Sequence, residues 1–153
     1  KIKPIVAKPH FVDSVVDAKE CVGTHIDEAF LGSCNNGRIE DLRVGAEILK
    51  DKKVHPLVRF LVVPASAAVY EQALEEGLLK IFMDAGAIVM NPNCSVCWGS
   101  CQGVIGENEV LISTGTRNFK GRAGHKDSFV YLASAATVTA SAIKGEIATA
   151  DMV

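Results

Sequence analysis

The stretch "EAFLGSCNNGRIEDLRVGAEILK" (residues 28–50) places an apolar run, a turn and an amphipathic segment in direct succession. Residues 28–33 predict a short strand, and the Asn-Asn-Gly sequence at 35–37 is typical of a turn. A helix is predicted over residues 39–50, because apolar side chains recur on one stripe at Ile39, Leu42, Ala46 and Leu49. This strand-turn-helix unit is the building block of an α/β fold.

The same alternation continues along the chain. Further strands are predicted over residues 58–63, 87–90 and 109–113, and further helices over residues 67–76, 78–85 and 135–144. Residues 129–132 form a short apolar stretch between a glycine-rich loop and the last helix. Ser134 is a predicted N-cap, and Gly145 a predicted C-terminal stop. This order of elements predicts a three-layer α/β/α domain with a mainly parallel sheet.

The first residues differ from the rest of the chain. Residues 1–24 contain Pro4 and Pro9 and show no clear periodicity, so we expect an irregular lead-in there. We assign residues 25–153 to the α/β domain proper and treat the chain as one domain overall. With 153 residues, of which 48% are hydrophobic, the chain is long enough to bury one core.

Composition and charge exclude several classes of protein. The formal net charge of −2 gives no electrostatic basis for binding nucleic acid. No apolar stretch approaches the roughly 18 residues that a membrane-spanning helix needs. The cysteine count is odd, at five, and the N-terminal residues lack the apolar run of a signal peptide, so we expect a reducing, cytoplasmic environment.

The cysteines fall where ligands bind in α/β proteins. Cys34 follows the first predicted strand, and Cys94 and Cys97 follow the strand predicted over residues 87–90. Because the carboxyl ends of parallel strands share one edge of a sheet, we expect these thiols at the same edge. Thiolates suit an iron-sulfur cluster or a zinc ion, and a C-x-x-C pair also suits redox chemistry, so the residues alone leave these alternatives open.

Four segments together carry a resemblance to a known family. They read "GSCNNGRIEDLRVGAEIL" (32–49), "NPNCSVCWG" (91–99), "STGTRNFKGRAG" (113–124) and "VYLASAATVTASAIKGEI" (130–147). In this order they resemble the cluster-bearing, C-terminal domain of the aconitase superfamily, especially of its branch of 3-isopropylmalate dehydratase and homoaconitase large subunits. The resemblance extends over nearly the whole chain.

The resemblance implies a site and a reaction. It implies a 4Fe-4S cluster held by Cys34, Cys94 and Cys97, with the fourth iron open to substrate. Arg117 and Arg122 correspond to the family's substrate-binding arginines, and their planar guanidinium groups match carboxylates. The implied enzyme is a hydro-lyase that isomerises a hydroxy acid by dehydration and rehydration. We expect 3-isopropylmalate, in leucine biosynthesis, with homocitrate, citrate or dimethylmalate as alternatives.

The resemblance also implies missing parts. In the family the large subunit is longer, with further domains, and a small subunit or swivelling domain supplies the catalytic base. No catalytic base is evident in this chain, so we expect it to be a fragment or one part of a larger subunit, and inactive alone. The expected partners are those remaining parts and a small hydroxy acid.

The chain departs from the family pattern at a few positions near the motifs, namely Asn35, Trp98, Cys101 and Thr116. We interpret Cys101 as a packed or free thiol, with a rival ligand as the alternative. Two other classes of function stay open. An electron carrier would normally need four cysteine ligands, and a zinc-stabilised interaction domain would use Cys94, Cys97, Cys101 and Cys34 but leave the arginines unexplained.

Overall fold

The computed structural model describes residues 3–153, which form seven strands and four α-helices. The strands are β1 (Ile5–Ala7), β2 (Val15–Asp17), β3 (Glu28–Leu31), β4 (Arg59–Val62), β5 (Ile88–Val89), β6 (Val110–Ser113) and β7 (Phe129–Ala133). The helices are α1 (Ile39–Leu49), α2 (Ala67–Glu75), α3 (Leu78–Ala85) and α4 (Ala135–Lys144). Each strand and helix predicted from residue 28 onward is present, within two residues at either end.

The strands form one sheet in the order β2-β1-β7-β6-β3-β4-β5. β3 pairs in parallel with β4 on one side and with β6 on the other, while β5 and β7 extend the parallel part outward. β1 is antiparallel to β7, and β2 is antiparallel to β1. The predicted α/β fold with a mainly parallel sheet is therefore confirmed.

The N-terminal residues are more regular than the sequence predicted. Where an irregular lead-in was expected over residues 1–24, β1 and β2 form a hairpin on the edge of the sheet, next to β7. Residues 1 and 2 lie outside the described part of the chain. Each of these two strands has three residues, too few to show an alternation of apolar and polar side chains. The hydrogen bonds that define them come from the pairing of β1 with β7 and of β2 with β1.

The two faces of the sheet are covered differently. All four helices pack on one face, around a core that includes Ala29 and Leu31 of β3. The opposite face, which includes Phe30 and Leu61, is covered by Val96, Ile105 and Ala123 from loops. The third layer thus consists of loops with one 3₁₀ turn instead of α-helices. The right-handedness of connections between parallel strands explains this difference. The chain moves in one direction across the sheet from β3 to β5 and in the opposite direction to β6 and β7, so the later connections cross the opposite face.

Local capping explains why the helix ends agree with the sequence. The Ser134 hydroxyl accepts a hydrogen bond from the amide of Thr137 at 3.4 Å, and Gly145 ends α4 in a left-handed conformation. Among the helices of residues 3–153, none has the length and apolar character needed to cross a membrane.

A charged cluster that contains the buried Glu28 joins the beginnings of three neighbouring strands. Arg59 Nε donates to Glu28 Oε2 at 2.9 Å, and the two terminal nitrogens of Arg59 donate to Glu109 at 3.0 and 2.8 Å. The Glu28 side chain is fully buried, and its Oε1 atom has no hydrogen-bond partner among the described residues. Burial raises the pKa of Glu28 to about 7 against the opposing effect of Arg59. Glu28 therefore changes charge near neutral pH.

Replacing Glu28 by Gln should alter how the free energy of unfolding depends on pH. The Glu28 carboxyl ionises near pH 4.5 in the unfolded chain and near pH 7 in the folded one, so raising the pH across this window destabilises the folded protein. We expect the loss to be about 3 kcal/mol. Gln can still accept the Arg59 hydrogen bond but does not titrate, so the variant should lack this loss.

The measurement is urea unfolding of the full chain between about pH 5 and pH 8. Above pH 7 the Glu28→Gln variant should be more stable than the original chain, while Glu107→Gln, which changes an exposed carboxylate, should follow the original profile. Parallel pH profiles for the original chain and Glu28→Gln would contradict the prediction.

Candidate functional site

Three loops that carry the predicted site residues leave the same edge of the sheet. We call residues 32–38 the Cys34 loop, residues 91–103 the cysteine loop and residues 114–125 the arginine loop. They follow β3, β5 and β6, which run in parallel, so all three begin at carboxyl ends of strands. From β3 the chain passes to α1 on one face, and from β6 it passes to a loop on the other. The crevice between two such strands is where open α/β sheets bind ligands.

The Cys34 loop is held by backbone contacts on both sides. The Thr114 hydroxyl accepts from the backbone amide of Gly32 at 3.0 Å and donates to the Gly32 carbonyl at 2.7 Å, and the side-chain Nδ2 of Asn36 donates to the Thr114 carbonyl. On the other side, a Cβ atom on Gly37 would lie 2.3 Å from the Val63 carbonyl oxygen, so only glycine permits this approach to the end of β4. Cys34 itself is exposed between these anchors.

The cysteine loop turns its two intervening residues inward and its thiols outward. Ser95 is fully buried and donates from its hydroxyl to the Gln102 carbonyl at 2.8 Å, which closes the loop. Val96 is also fully buried, in the core on the loop-covered face of the sheet. Cys94 is exposed and Cys97 is half-buried. In the C-x2-C sequence, the two residues between the cysteines thus anchor the loop and leave both thiols accessible.

The arginine loop presents its two guanidinium groups in different environments. Arg117 is exposed and donates from Nη1 to the Thr116 carbonyl at 2.7 Å. Arg122 is half-buried, and its Cζ atom lies 5.6 Å from the centroid of the Phe119 ring. The Nε atom of Arg122 is buried and has no hydrogen-bond partner among the described residues. An N–H donor held in this way favours an added acceptor, such as a carboxylate.

The cysteine and arginine loops lie directly against each other. Gly99 adopts a φ of +74°, and a Cβ atom there would lie 2.2 Å from the carbonyl oxygen of Arg122. Farther along, the Ile105 amide donates to the Ala123 carbonyl at 3.0 Å, and the His125 amide donates to the Ile105 carbonyl at 3.0 Å. The backbone of Arg122 therefore lies against Gly99, which is two residues after Cys97 in the cysteine loop.

The structure assembles the loops but not a ligand group. In residues 3–153, no set of three or more His, Cys, Asp or Glu side chains is arranged to hold a metal ion. Cys34 is thus not gathered with Cys94 and Cys97 around one point. All five cysteines are free, Cys101 is exposed, and Cys21 is buried in the helical-face core, where burial raises its pKa. Three accessible thiols at one edge have the donor chemistry that an iron-sulfur cluster requires.

Sequence reasoning missed the residues that hold these loops. Thr114 and Ser95 are buried polar residues whose hydroxyls bond to backbone atoms, and Asn118 is buried within the arginine loop. Asn93 accepts a hydrogen bond from the Ser95 amide at 2.5 Å, a short-range Asx turn that the Asn-x-Ser spacing could have indicated. The partners of Thr114 and Asn118 lie more than 75 positions away, so no local pattern indicates them.

Comparison with known proteins yields one family and closely similar relatives. Residues 8–145 match the sequence profile of the Aconitase family (aconitate hydratase). The 3-isopropylmalate dehydratase large subunit of Sulfurihydrogenibium sp. (strain YO3AOP1) is 51% identical over 153 residues, covering 100% of this chain and 36% of that protein. The probable 3-isopropylmalate dehydratase large subunit of Methanothermobacter thermautotrophicus is 55% identical over 146 residues, covering 95% of this chain and 35% of that protein.

A relative with a different name is almost equally similar. The probable methanogen homoaconitase large subunit of Methanothermobacter thermautotrophicus is 53% identical over 146 residues, covering 95% of this chain and 34% of that protein. The chain thus spans about a third of the length of the curated relatives it matches.

Replacing Gly99 by Ala should separate the cysteine loop from the arginine loop. The left-handed conformation alone costs an L-residue about 1 kcal/mol, and the added methyl group meets a backbone carbonyl that cannot rotate away. We expect a total destabilisation of about 2 to 4 kcal/mol. Gly77→Ala is the matched control, since Gly77 has the same φ of +74° and open space at its Cβ position.

Urea unfolding of the full chain measures the stability of both variants, and amide hydrogen exchange measures the protection of the two loops. Gly77→Ala should lose only the conformational cost, with unchanged exchange in the two loops. Equal destabilisation in both variants would show that the contact with Arg122 contributes nothing.

Proposed function

Because this chain belongs to the aconitase family, we propose that it carries the iron-sulfur site of a hydro-lyase that isomerises a hydroxy di- or tricarboxylic acid. The family resemblance expected from the four sequence segments is thereby confirmed. We propose 3-isopropylmalate as the substrate, in the cytoplasmic synthesis of leucine, because two of the relatives described above carry that name. The relative named as a homoaconitase makes homocitrate the alternative substrate.

The observation that carries the proposal is the packing of the cysteine loop against the arginine loop. Loss of a hydroxyl group next to carboxylates needs a Lewis acid at the leaving oxygen and cationic groups that hold the carboxylates. Gly99 and Arg122 bring the two loops into backbone contact, at the edge where Cys34 also lies. Candidate ligands for the Lewis acid and candidate donors for the carboxylates thus lie at the same edge of the sheet.

We assign Cys34, Cys94 and Cys97 as the ligands of a 4Fe-4S cluster. Their thiols are free and accessible, and soft sulfur donors are what iron-sulfur clusters require. When bound, the cluster supplies a Lewis acid through an iron that no cysteine occupies. Bringing Cys34 to the other two thiols is left to cluster assembly, since the loops alone do not form a ligand group.

We assign Arg117 and Arg122 to the substrate carboxylates. The unpartnered Nε of Arg122 and the exposed fork of Arg117 leave donors for carboxylate oxygens, and stacking on Phe119 holds the Arg122 plane. Two guanidinium groups on one loop would hold both carboxylates of a dicarboxylate and so orient the carbon that carries its hydroxyl group. This orientation is the contribution of the arginine loop to catalysis.

The catalytic base is assigned to a partner. We propose that a small subunit or swivelling domain supplies it, that the remaining parts of the large subunit complete the site, and that the chain alone has negligible turnover. Exposed apolar side chains next to the Cys34 loop support the proposal that another protein surface covers this region. Ile5, Val12 and Val15 are exposed and line a cavity of about 720 Å³ that reaches Asn36 and Thr114.

The first test is metal content after anaerobic purification of the full-length protein with its small subunit. We expect iron and acid-labile sulfide, and loss of both when Cys34, Cys94 or Cys97 is replaced singly by Ser, because a hydroxyl is a poor ligand for iron-sulfur clusters. Cys101→Ser is the matched control and should keep the cluster, since we assign it no iron. Zinc instead of iron, or loss of the cluster in Cys101→Ser with retention in Cys34→Ser, would refute this ligand assignment.

The second test separates substrate binding from folding. Arg117→Lys and Arg122→Lys keep the charge but lose the planar fork, so kcat/KM for 3-isopropylmalate should fall about 30-fold to 1000-fold, or about 2 to 4 kcal/mol, with unchanged cluster content. Lys120→Ala, an exposed change in the same loop, should leave the rate within about 2-fold. Near-normal kcat/KM in both Lys variants would remove the arginines from the site.

A further inference from the structure

Asn118 differs from its neighbours in the arginine loop. It directly follows Arg117, yet its side chain is only 1% exposed, whereas Arg117, Phe119 and Lys120 are all exposed. Burying an amide is costly unless its polar atoms find partners. Here the Nδ2 atom finds them, whereas the Oδ1 atom has none among the described residues. The partners of this amide show what the residue does.

The Asn118 side chain bonds to a distant part of the chain. Its Nδ2 atom donates to the carbonyl oxygens of Lys8 at 2.7 Å and Phe11 at 3.2 Å, which uses both of its hydrogens. The backbone carbonyl of Asn118 accepts from the His10 amide at 3.1 Å. Three hydrogen bonds thus join this residue to the turn between β1 and β2, which we define as residues 8–14.

The turn is itself a rigid anchor. The Lys8 amide donates to the Ser14 carbonyl at 2.8 Å, and the Ser14 amide donates to the Phe11 carbonyl at 3.3 Å. β1 leads directly into this turn and pairs with β7 through Val6 and Ala7. A loop bonded to the turn is therefore bonded to the edge of the sheet.

Within the described residues, the other backbone ties of the arginine loop lie at its two ends. Thr114 bonds to β3 and to the Cys34 loop, and Ala123 bonds to Ile105. Among the described hydrogen bonds of residues 116–121, those that reach outside the arginine loop all come from Asn118. Arg117 depends on this middle tie, since its own side chain bonds only to the adjacent carbonyl of Thr116.

We propose that Asn118 is a positioning residue that fixes the arginine loop, and with it the guanidinium group of Arg117, by bonding the loop to the turn between β1 and β2. This inference rests on the proposed function of Arg117. It assigns a role in substrate orientation to the N-terminal hairpin, which contains none of the predicted ligands or arginines.

The test uses the full-length, cluster-loaded enzyme with its small subunit. Asn118→Ala removes both side-chain donors, and we expect kcat/KM for 3-isopropylmalate to fall at least 10-fold through a raised KM, with unchanged iron and sulfide content. Hydrogen exchange of residues 8–14 and 114–121 should accelerate at least 10-fold, while the helices keep their protection. Asn118→Ser keeps one donor and should show a smaller effect on kcat/KM and on exchange. If Asn118→Ala does not fold, Asn118→Ser takes its place in these measurements. Lys120→Ala is the control in the same loop.

A double variant distinguishes positioning from a general loss of structure. If Asn118 acts through Arg117, adding Asn118→Ala to Arg117→Lys should lower kcat/KM by no more than about 3-fold beyond Arg117→Lys alone. The proposal would be overturned if the losses in kcat/KM of the two single variants multiplied in the double variant. It would also be overturned if Asn118→Ala kept the kcat/KM and the hydrogen exchange of the unaltered enzyme. Absence of hydro-lyase activity in the unaltered enzyme would count against the proposed function instead, and the exchange measurement would then decide whether the hydrogen bonds hold the loop.

Discussion

The parallel pairing of β3 on both of its sides is the constraint on which the rest of this structure depends. All four residues of β3 are buried, with β4 on one side and β6 on the other. Since the connections are right-handed, moving outward from β3 places the helices on one face, and returning to β6 places loops on the other. The cysteine and arginine loops share a face for this reason, and they begin at the same edge because their strands run in the same direction.

Polar residues secure the two ends of this central strand in different ways. At its beginning, the buried Glu28 bonds to the partly exposed Arg59, which also binds Glu109, so charged groups join three strands. At its far end, the Thr114 hydroxyl bonds to both the amide and the carbonyl of Gly32. The first arrangement stabilises the sheet and titrates near neutral pH. The second is neutral and holds the Cys34 loop without competing for the thiol.

The site loops are joined mainly through backbone atoms. Gly99 lies against the Arg122 carbonyl, Ile105 bonds to Ala123, and Asn118 bonds to carbonyls of the N-terminal turn. The side chains that we assign to the proposed site, Cys34, Cys94 and Arg117, remain accessible on this frame. A frame built in this way fixes where the loops run while leaving these side chains available to the proposed cluster and substrate.

The sequence by itself determined the strands and helices from residue 28 onward, because apolar periodicity, Ser134 and the stop glycines act over a few neighbouring residues. It also placed Cys34 and Cys94 after parallel strands, since strand direction follows from the alternation of elements. Only the tertiary structure decided that residues 5–17 join the sheet, that loops form its third layer, and that Thr114, Gly99 and Asn118 hold the site. These contacts join positions far apart in the chain. They are hydrogen bonds and close contacts with backbone groups, which leave no periodic pattern in the sequence.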